Sequence, residues 1–120
     1  MSIIQKKSFD FALEIIFLYK DLVEHKEYIL SKQLLRSGTS IGANVTEGTA
    51  GQSERDFLHK MSIASKEAQE TKYWLMLLDY SKLVDLDYTK ALGHCDEVCR
   101  ILTSIVKTMS EKIKKSTQNS

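Results

Sequence analysis

The chain has 120 residues, 42% hydrophobic and 28% charged, which bounds it to one globular domain of ordinary size. Its 17 basic and 16 acidic residues leave a formal net charge of +1. That balance argues against a strongly basic nucleic-acid binder acting as a monomer, while leaving room for a local basic patch. With no proline and five glycines, little in the chain interrupts long helices. No apolar run approaches the roughly 18 residues needed to span a bilayer, and Met1 to Lys7 carries no signal-peptide pattern, so a cytoplasmic protein is the default expectation.

Four helical segments are expected in chain order, at about 8–24, 31–47, 54–80 and 88–114, in a single domain. The first starts with Ser8 as N-cap. Phe11, Ala12, Ile15, Ile16, Tyr19, Leu22 and Val23 follow at helical spacing, and Phe9, Leu13, Phe17 and Leu18 widen the apolar face until it suggests contact on more than one side. His25-Lys26-Glu27 reads as a turn. The second helix starts near Ser31 and ends near Glu47, with Gly48 as its C-terminal stop, and its core stripe is Leu34, Gly38, Ile41 and Val45.

This second helix is the most informative part of the sequence. Gly38 and Gly42 lie four apart on one face, and each costs a helix roughly 1 kcal/mol relative to alanine. A helix that accepts the cost twice on one face is expected to have another backbone close against it. Arg36, Ser40, Asn44 and Glu47 form a separate polar stripe, so the helix reads as sandwiched.

After a loop over Gly48 to Gln52, Ser53-Glu-Arg-Asp56 opens the third helix like a capping box. Its stripes are Phe57, Met61, Ala64, Ala68, Thr71, Leu75 and Leu78, and Ile63, Glu67, Glu70, Trp74 and Leu77. Tyr80 to Val84 forms the next connection, and Asp87 caps the fourth helix, whose stripe is Ala91, Cys95, Val98, Leu102, Ile105, Met109 and Ile113. The polar tail 115–120 is expected to fray. Short connections make sequence neighbours antiparallel, which gives an all-α, up-down-up-down four-helix bundle. Cys95 and Cys99 lie one turn apart on one face, a poor geometry for a disulfide. With His94 about 100° away they make an incomplete zinc set, so they read as small buried apolar residues.

These residues resemble the four-helix-bundle proteins related to those encoded in intervening sequences of bacterial 23S ribosomal RNA genes. The resemblance runs from Phe9 to Met109 and is most specific at Gln33-Leu34-Leu35-Arg36, Ser40-Ile41, Ala43-Asn44-Val45 and Glu47-Gly48. There the family pattern reads Gln-Leu-Arg-Arg, Ser-Ile, Ala-Asn-Ile and Glu-Gly. Asp56-Phe57-Leu58, Ile63-Ala64, Glu70 to Leu75 and Ile101 to Ile105 resemble the third and fourth helices, and the departures, Val45 and Thr46, are mild. The resemblance implies a ring-like homopentamer. It also implies kinship with the accessory proteins of diversity-generating retroelements, which bind a reverse transcriptase and nucleic acid.

No catalytic, cofactor or metal site is expected. Arg36, Ser40, Asn44, Glu47, Glu67, Glu70, Thr71 and Trp74 are the candidates for a polar network or interface, with Arg36 paired to Glu67, Glu70 or Glu47. The sharper alternative is a hydrolase or nuclease using Glu67 and Glu70 one turn apart, which lacks the third group and the cleft that acid–base chemistry needs. Lys6, Lys7, Lys107, Lys112, Lys114 and Lys115 are expected to converge on one pole as a nucleic-acid contact; the plainer reading of the C-terminal lysines is complementation of the helix dipole. The expectation is therefore a non-enzymatic oligomer that touches RNA, DNA or a nucleic-acid enzyme through a basic rim, or else a protein–protein scaffold.

Overall fold

The computed structural model describes residues 1–118 and consists there of four helices and no strand. They are α1 (Ile3–Glu24), α2 (Leu30–Thr49), α3 (Glu54–Ser81) and α4 (Thr89–Gln118). The molecule measures 57 × 24 × 21 Å. Each helix packs on its sequence neighbour, and α1 also packs on α4. One apolar core takes Phe11, Ile15 and Leu22 from α1, Leu34, Ile41 and Val45 from α2, Met61, Ala64, Ala68, Leu75 and Leu78 from α3, and Val98 and Leu102 from α4.

The helix ends correct several expectations. Helix α1 begins at Ile3, five residues before the expected start. Ser2 accepts from the Gln5 amide at 3.3 Å, and the Gln5 side chain accepts from the Ser2 amide at 2.8 Å, a reciprocal capping box. Ser8 lies inside the helix, buried, and its hydroxyl donates to the Gln5 carbonyl. Gly48 does not end α2, which runs on to Thr49, and no glycine takes a left-handed conformation. A Cβ on Gly48 would stand 2.9 Å from Lys60 Cβ and 3.0 Å from Met61 Cε, so its small size lets α2 lie close on α3. Residues 115–118 are helical, while 119 and 120 lie outside the described residues.

Other ends follow the sequence. Ser53 accepts from the Asp56 amide at 3.1 Å at the start of α3, and Asp87 accepts from the Thr89 amide at 3.0 Å at the start of α4. The connections at Lys26 (φ 63°) and Lys82 (φ 55°) turn through the left-handed region without a glycine. Tyr88 closes the second of these, fully buried, with its hydroxyl donating to the Val84 carbonyl at 2.8 Å.

Helix α4 is longer than α1, with 30 residues against 22, and this shapes its apolar stripe. Ala91, Cys95, Val98 and Leu102 are buried, but Ile105, Met109 and Ile113 are only half-buried. Between α1 and α4 lies a cleft of about 280 Å³ lined by Lys7, Asp10, Phe11, Glu14, His94 and Glu97 among others. An ion pair, Lys7–Glu97 at 2.9 Å, and a Glu14–His94 contact at 2.7 Å bridge it.

Candidate functional site

The two glycines of α2 do different things. A Cβ on Gly38 would meet Ile15 Cγ2 at 2.8 Å and Cγ1 at 3.0 Å, so the Ile15 side chain of α1 sits directly on the α2 backbone there. At Gly42 the nearest atom is the Ser8 carbonyl oxygen at 3.4 Å, an ordinary contact. Gly42 instead helps line a shallow groove with Phe9, Ala12 and Ala43.

The polar stripe divides in two. Arg36 reaches across to α3, with Nη1 3.3 Å from Glu67 and Nη2 hydrogen-bonded to Glu70. The same Glu70 oxygen accepts from the Trp74 indole N–H at 3.1 Å. Thr71 sits below them, fully buried, sharing a 2.9 Å hydroxyl hydrogen bond with Ser37 of α2. Arg36, Glu67, Glu70 and Trp74 thus form one cross-helix network with a buried hydroxyl pair beneath. Ser40 and Asn44 do not join it. They donate to carbonyls of their own helix, Arg36 at 2.6 Å and Ser40 at 2.8 Å. Glu47 pairs with Lys60 at 2.8 Å.

The network lies at the surface. Side-chain exposure is 49% for Arg36, 37% for Glu70 and 21% for Glu67. An exposed pair of this kind contributes up to about 1 kcal/mol, well below the 3–5 kcal/mol or so that breaking a buried pair costs. The close neighbour expected at the paired glycines is therefore the Ile15 side chain at Gly38 and the Ser8 backbone, at ordinary contact distance, at Gly42, while the polar stripe of a single copy is open to solvent. Chemically, Glu67 and Glu70 are bound to a shared guanidinium, and Glu70 also to an indole, which is an arrangement for holding α2 to α3. Among the described residues, no three His, Cys, Asp or Glu side chains gather as a metal site requires.

The six candidate lysines are not brought to one place. Lys6 pairs with Asp10 at 3.1 Å, and Lys7 with Glu97. The Lys7 ammonium holds the Glu97 carboxyl below its usual range. Lys112 lies about 22 Å further along α4 than Glu97, at 1.5 Å per residue, and pairs with Glu54 at the start of α3 at 3.3 Å. Arg55 joins that end, with Nη2 3.5 Å from the Thr117 hydroxyl. Lys107, Lys114 and Lys115 are exposed and make no ion pair among the described residues. The unequal helix lengths separate the two groups: α4 continues well beyond the level at which Lys7 meets it.

Two features were missed in the sequence. One is Glu27, buried beside the first turn of α2, where it accepts from the amides of Ile29, Leu30 and Ser31 at 3.2, 3.0 and 2.7 Å. Burial pushes its carboxyl up, but these hydrogen bonds outweigh burial and hold it below the usual glutamate range. The signal was present as Glu27-x-x-x-Ser31, since the Ser31 hydroxyl returns a 2.7 Å bond to the Glu27 carbonyl. The other is the environment of Cys99, a groove between α3 and α4.

Comparison with known proteins places this architecture. Residues 2–104 match the family model described as 23S rRNA-intervening sequence protein. A 1.70 Å crystal structure of a protein with unknown function, from the S23 ribosomal protein family of Bacteroides thetaiotaomicron VPI-5482, is 47% identical. It superposes with a TM-score of 0.83 over 88% of this chain and 99% of that one. No curated protein matches. A family match that takes in the Gly38 contact, the Arg36 network and the start of the α4 stripe covers most of the fold, and the chain belongs to the 23S rRNA-intervening sequence protein family.

Proposed function

We propose that this chain is a non-enzymatic, self-assembling cytoplasmic protein: an up-down-up-down four-helix bundle whose copies associate into a homopentamer. The order of the cross-helix pairs supports the topology. Lys7–Glu97 with Glu14–His94, Arg36–Glu67 with Glu47–Lys60, and Lys72–Asp96 with Glu54–Lys112 all rise on one helix as they fall on the next. The observation that carries assembly is the outer face of α1. Phe9 is 56% exposed, Leu13 41%, Ile16 42% and Phe17 66%, a helical stripe that nothing in one copy covers. Contiguous apolar surface of this kind marks an interaction site. A second apolar face, Tyr73, Met76, Tyr80 and Leu83, lies on and just after α3. Two unlike faces meeting head to tail make a heterologous contact, which forms a ring when the rotation between copies closes and a filament when it does not.

Light scattering on the eluted protein at micromolar concentration is expected to give a mass several times 13.7 kDa. A Phe9→Glu, Phe17→Glu variant is expected to elute as a helical monomer, because it changes only exposed positions. A stable monomer of the native protein overturns the reading.

Contact with nucleic acid belongs to the same proposal and is narrower than the sequence suggested. It rests on Lys107, Lys114 and Lys115 of α4, which make no ion pair among the described residues, with Lys112 and Arg55 at the same end, and not on Lys6 and Lys7, which lie at the level of Glu97, well short of that end. Lysines meet phosphates as flexible point charges and do not read bases. Binding to generic single-stranded RNA and duplex DNA is therefore expected to fall with salt, with a log–log slope of about −0.7 to −0.9 per phosphate neutralised. Changing Lys112, Lys114 and Lys115 to glutamine should weaken both equally and leave the assembly intact. No binding in about 50 mM salt leaves a protein–protein scaffold as the function.

A further inference from the structure

Cys95 and Cys99 are both buried, but their surroundings differ. Cys95 faces inward, with its sulfur 3.5 Å from the Ala68 carbonyl of α3. Cys99, one turn on, lies in the wall of a groove of about 580 Å³ between α3 and α4. Lys72, Asp96, Arg100 and Lys107 share that groove. Lys72 is bound to Asp96 at 3.0 Å, which leaves Arg100 and Lys107 without an ion pair among the described residues. The groove is therefore net positive, with a sulfur in its wall.

We propose that Cys99 is a covalent modification site for small anionic disulfides, with Arg100 and Lys107 holding the reagent's carboxylates beside the sulfur. The Cys99 thiol loses its proton to solvent, and its thiolate attacks one sulfur of the reagent. The Cys99 Sγ–S bond forms as the reagent's S–S bond breaks, and the other half leaves as a thiolate. Cys99 is oxidised and the reagent reduced, so no further oxidant is required. The pair of cysteines supports this division of roles. The Cys95 sulfur directs its one proton at the Ala68 carbonyl, whereas the Cys99 sulfur opens on the groove beside Lys72, Arg100 and Lys107. The Cys99 sulfur beside it and burial push the Cys95 thiol up, so it remains protonated. Side chains four apart on a helix run nearly parallel, which disfavours collapse of the product into a Cys95–Cys99 disulfide.

The test uses the native protein and two reagents, the dianionic 5,5′-dithiobis(2-nitrobenzoate) and the neutral 2,2′-dithiodipyridine, each followed by absorbance of the released thiol and by intact mass. One equivalent should react without denaturant. Cys99→Ser should abolish the reaction and Cys95→Ser should keep it. Arg100→Gln with Lys107→Gln should slow the dianionic reagent about five- to tenfold while changing the neutral one less than about twofold, because only the former is attracted by the groove's field. Three results overturn the proposal: reaction only after denaturation, loss of the reaction in Cys95→Ser but not in Cys99→Ser, or equal slowing of both reagents by the charge changes. That last comparison retains an intact Cys99 and so does not depend on how well the serine variant folds.

Discussion

Valine at position 38 is expected to cost about 3 kcal/mol, at or just above the usual range for overpacking a core. The atoms a Cβ would strike are Ile15 Cγ2, Cγ1 and Cβ at 2.8, 3.0 and 3.2 Å. These belong to a β-branched side chain that is fully buried, so it cannot swing away. Helix α1 itself would have to move, and the helix-propensity gain over glycine offsets less than about 1 kcal/mol. Urea denaturation of Gly38→Val, Ile15→Ala and the double variant should show strong coupling. The alanine removes Cγ1 and Cγ2, the two nearest of the three atoms, so the double variant should lose less than the sum of the singles. Additivity within about 0.5 kcal/mol would mean that Gly38 is not a contact point. Gly42→Ala serves as the control, because its Cβ has ordinary room against Ser8.

Removing the Glu27 carboxylate is expected to cost about 2–3 kcal/mol. Hydrogen bonds to a charged group are worth about 1.5–3 kcal/mol each at most, and a lost cap typically about 1. Helix α2 has no substitute: Ile29 offers no side-chain cap, and the first turn holds no acidic residue. In Glu27→Ala the buried Ser31 amide loses its acceptor outright. The pH dependence gives a second readout. Glu27 titrates lower in the folded chain than in the unfolded one, so the unfolded state takes up the proton first as pH falls. Its contribution is complete above the unfolded glutamate value of about 4.3 and disappears as pH drops through the folded value. The stability gap between native protein and Glu27→Ala should therefore narrow on going from about pH 6 to about pH 3. A gap that stays constant or widens would show that the carboxylate is not the cap.

These two residues mark what was legible in the sequence and what was not. The presence of four helices follows from apolar spacing and the absence of proline. Gly38 stood out because glycine inside a helix has a known cost and needs a reason, and Arg36 was rightly paired with Glu67 and Glu70. Ser8 misled because a serine that caps and a serine buried in mid-helix look alike in one dimension; the Ser2-x-x-Gln5 box lay six residues earlier. Gly48 misled in the same way, since a glycine that ends a helix and one that admits a neighbouring helix share a letter. Glu27 was hidden because it caps from outside the periodic segment of α2. The lysines were misplaced for a different reason: their positions depend on where α4 ends relative to α1, a sum of all the helix lengths and turns that no local motif encodes.

The contrast between the two sides of α1 bears on how the molecule breathes. Against α2 it is joined by a dry contact at Gly38 and Ile15. Against α4 it is joined by Lys7–Glu97 and Glu14–His94 across a cleft of about 280 Å³, where one Glu14 oxygen is buried without a partner. The Lys7–Glu97 strap over the gap is weakened by salt, whereas close apolar packing is not. Openings of low free energy follow the weaker seam. The α1–α4 seam is therefore expected to part first, while α2 stays held to α3 at Gly48 and through Arg36, and amide exchange is expected to begin along that seam before it reaches the α1–α2 contact.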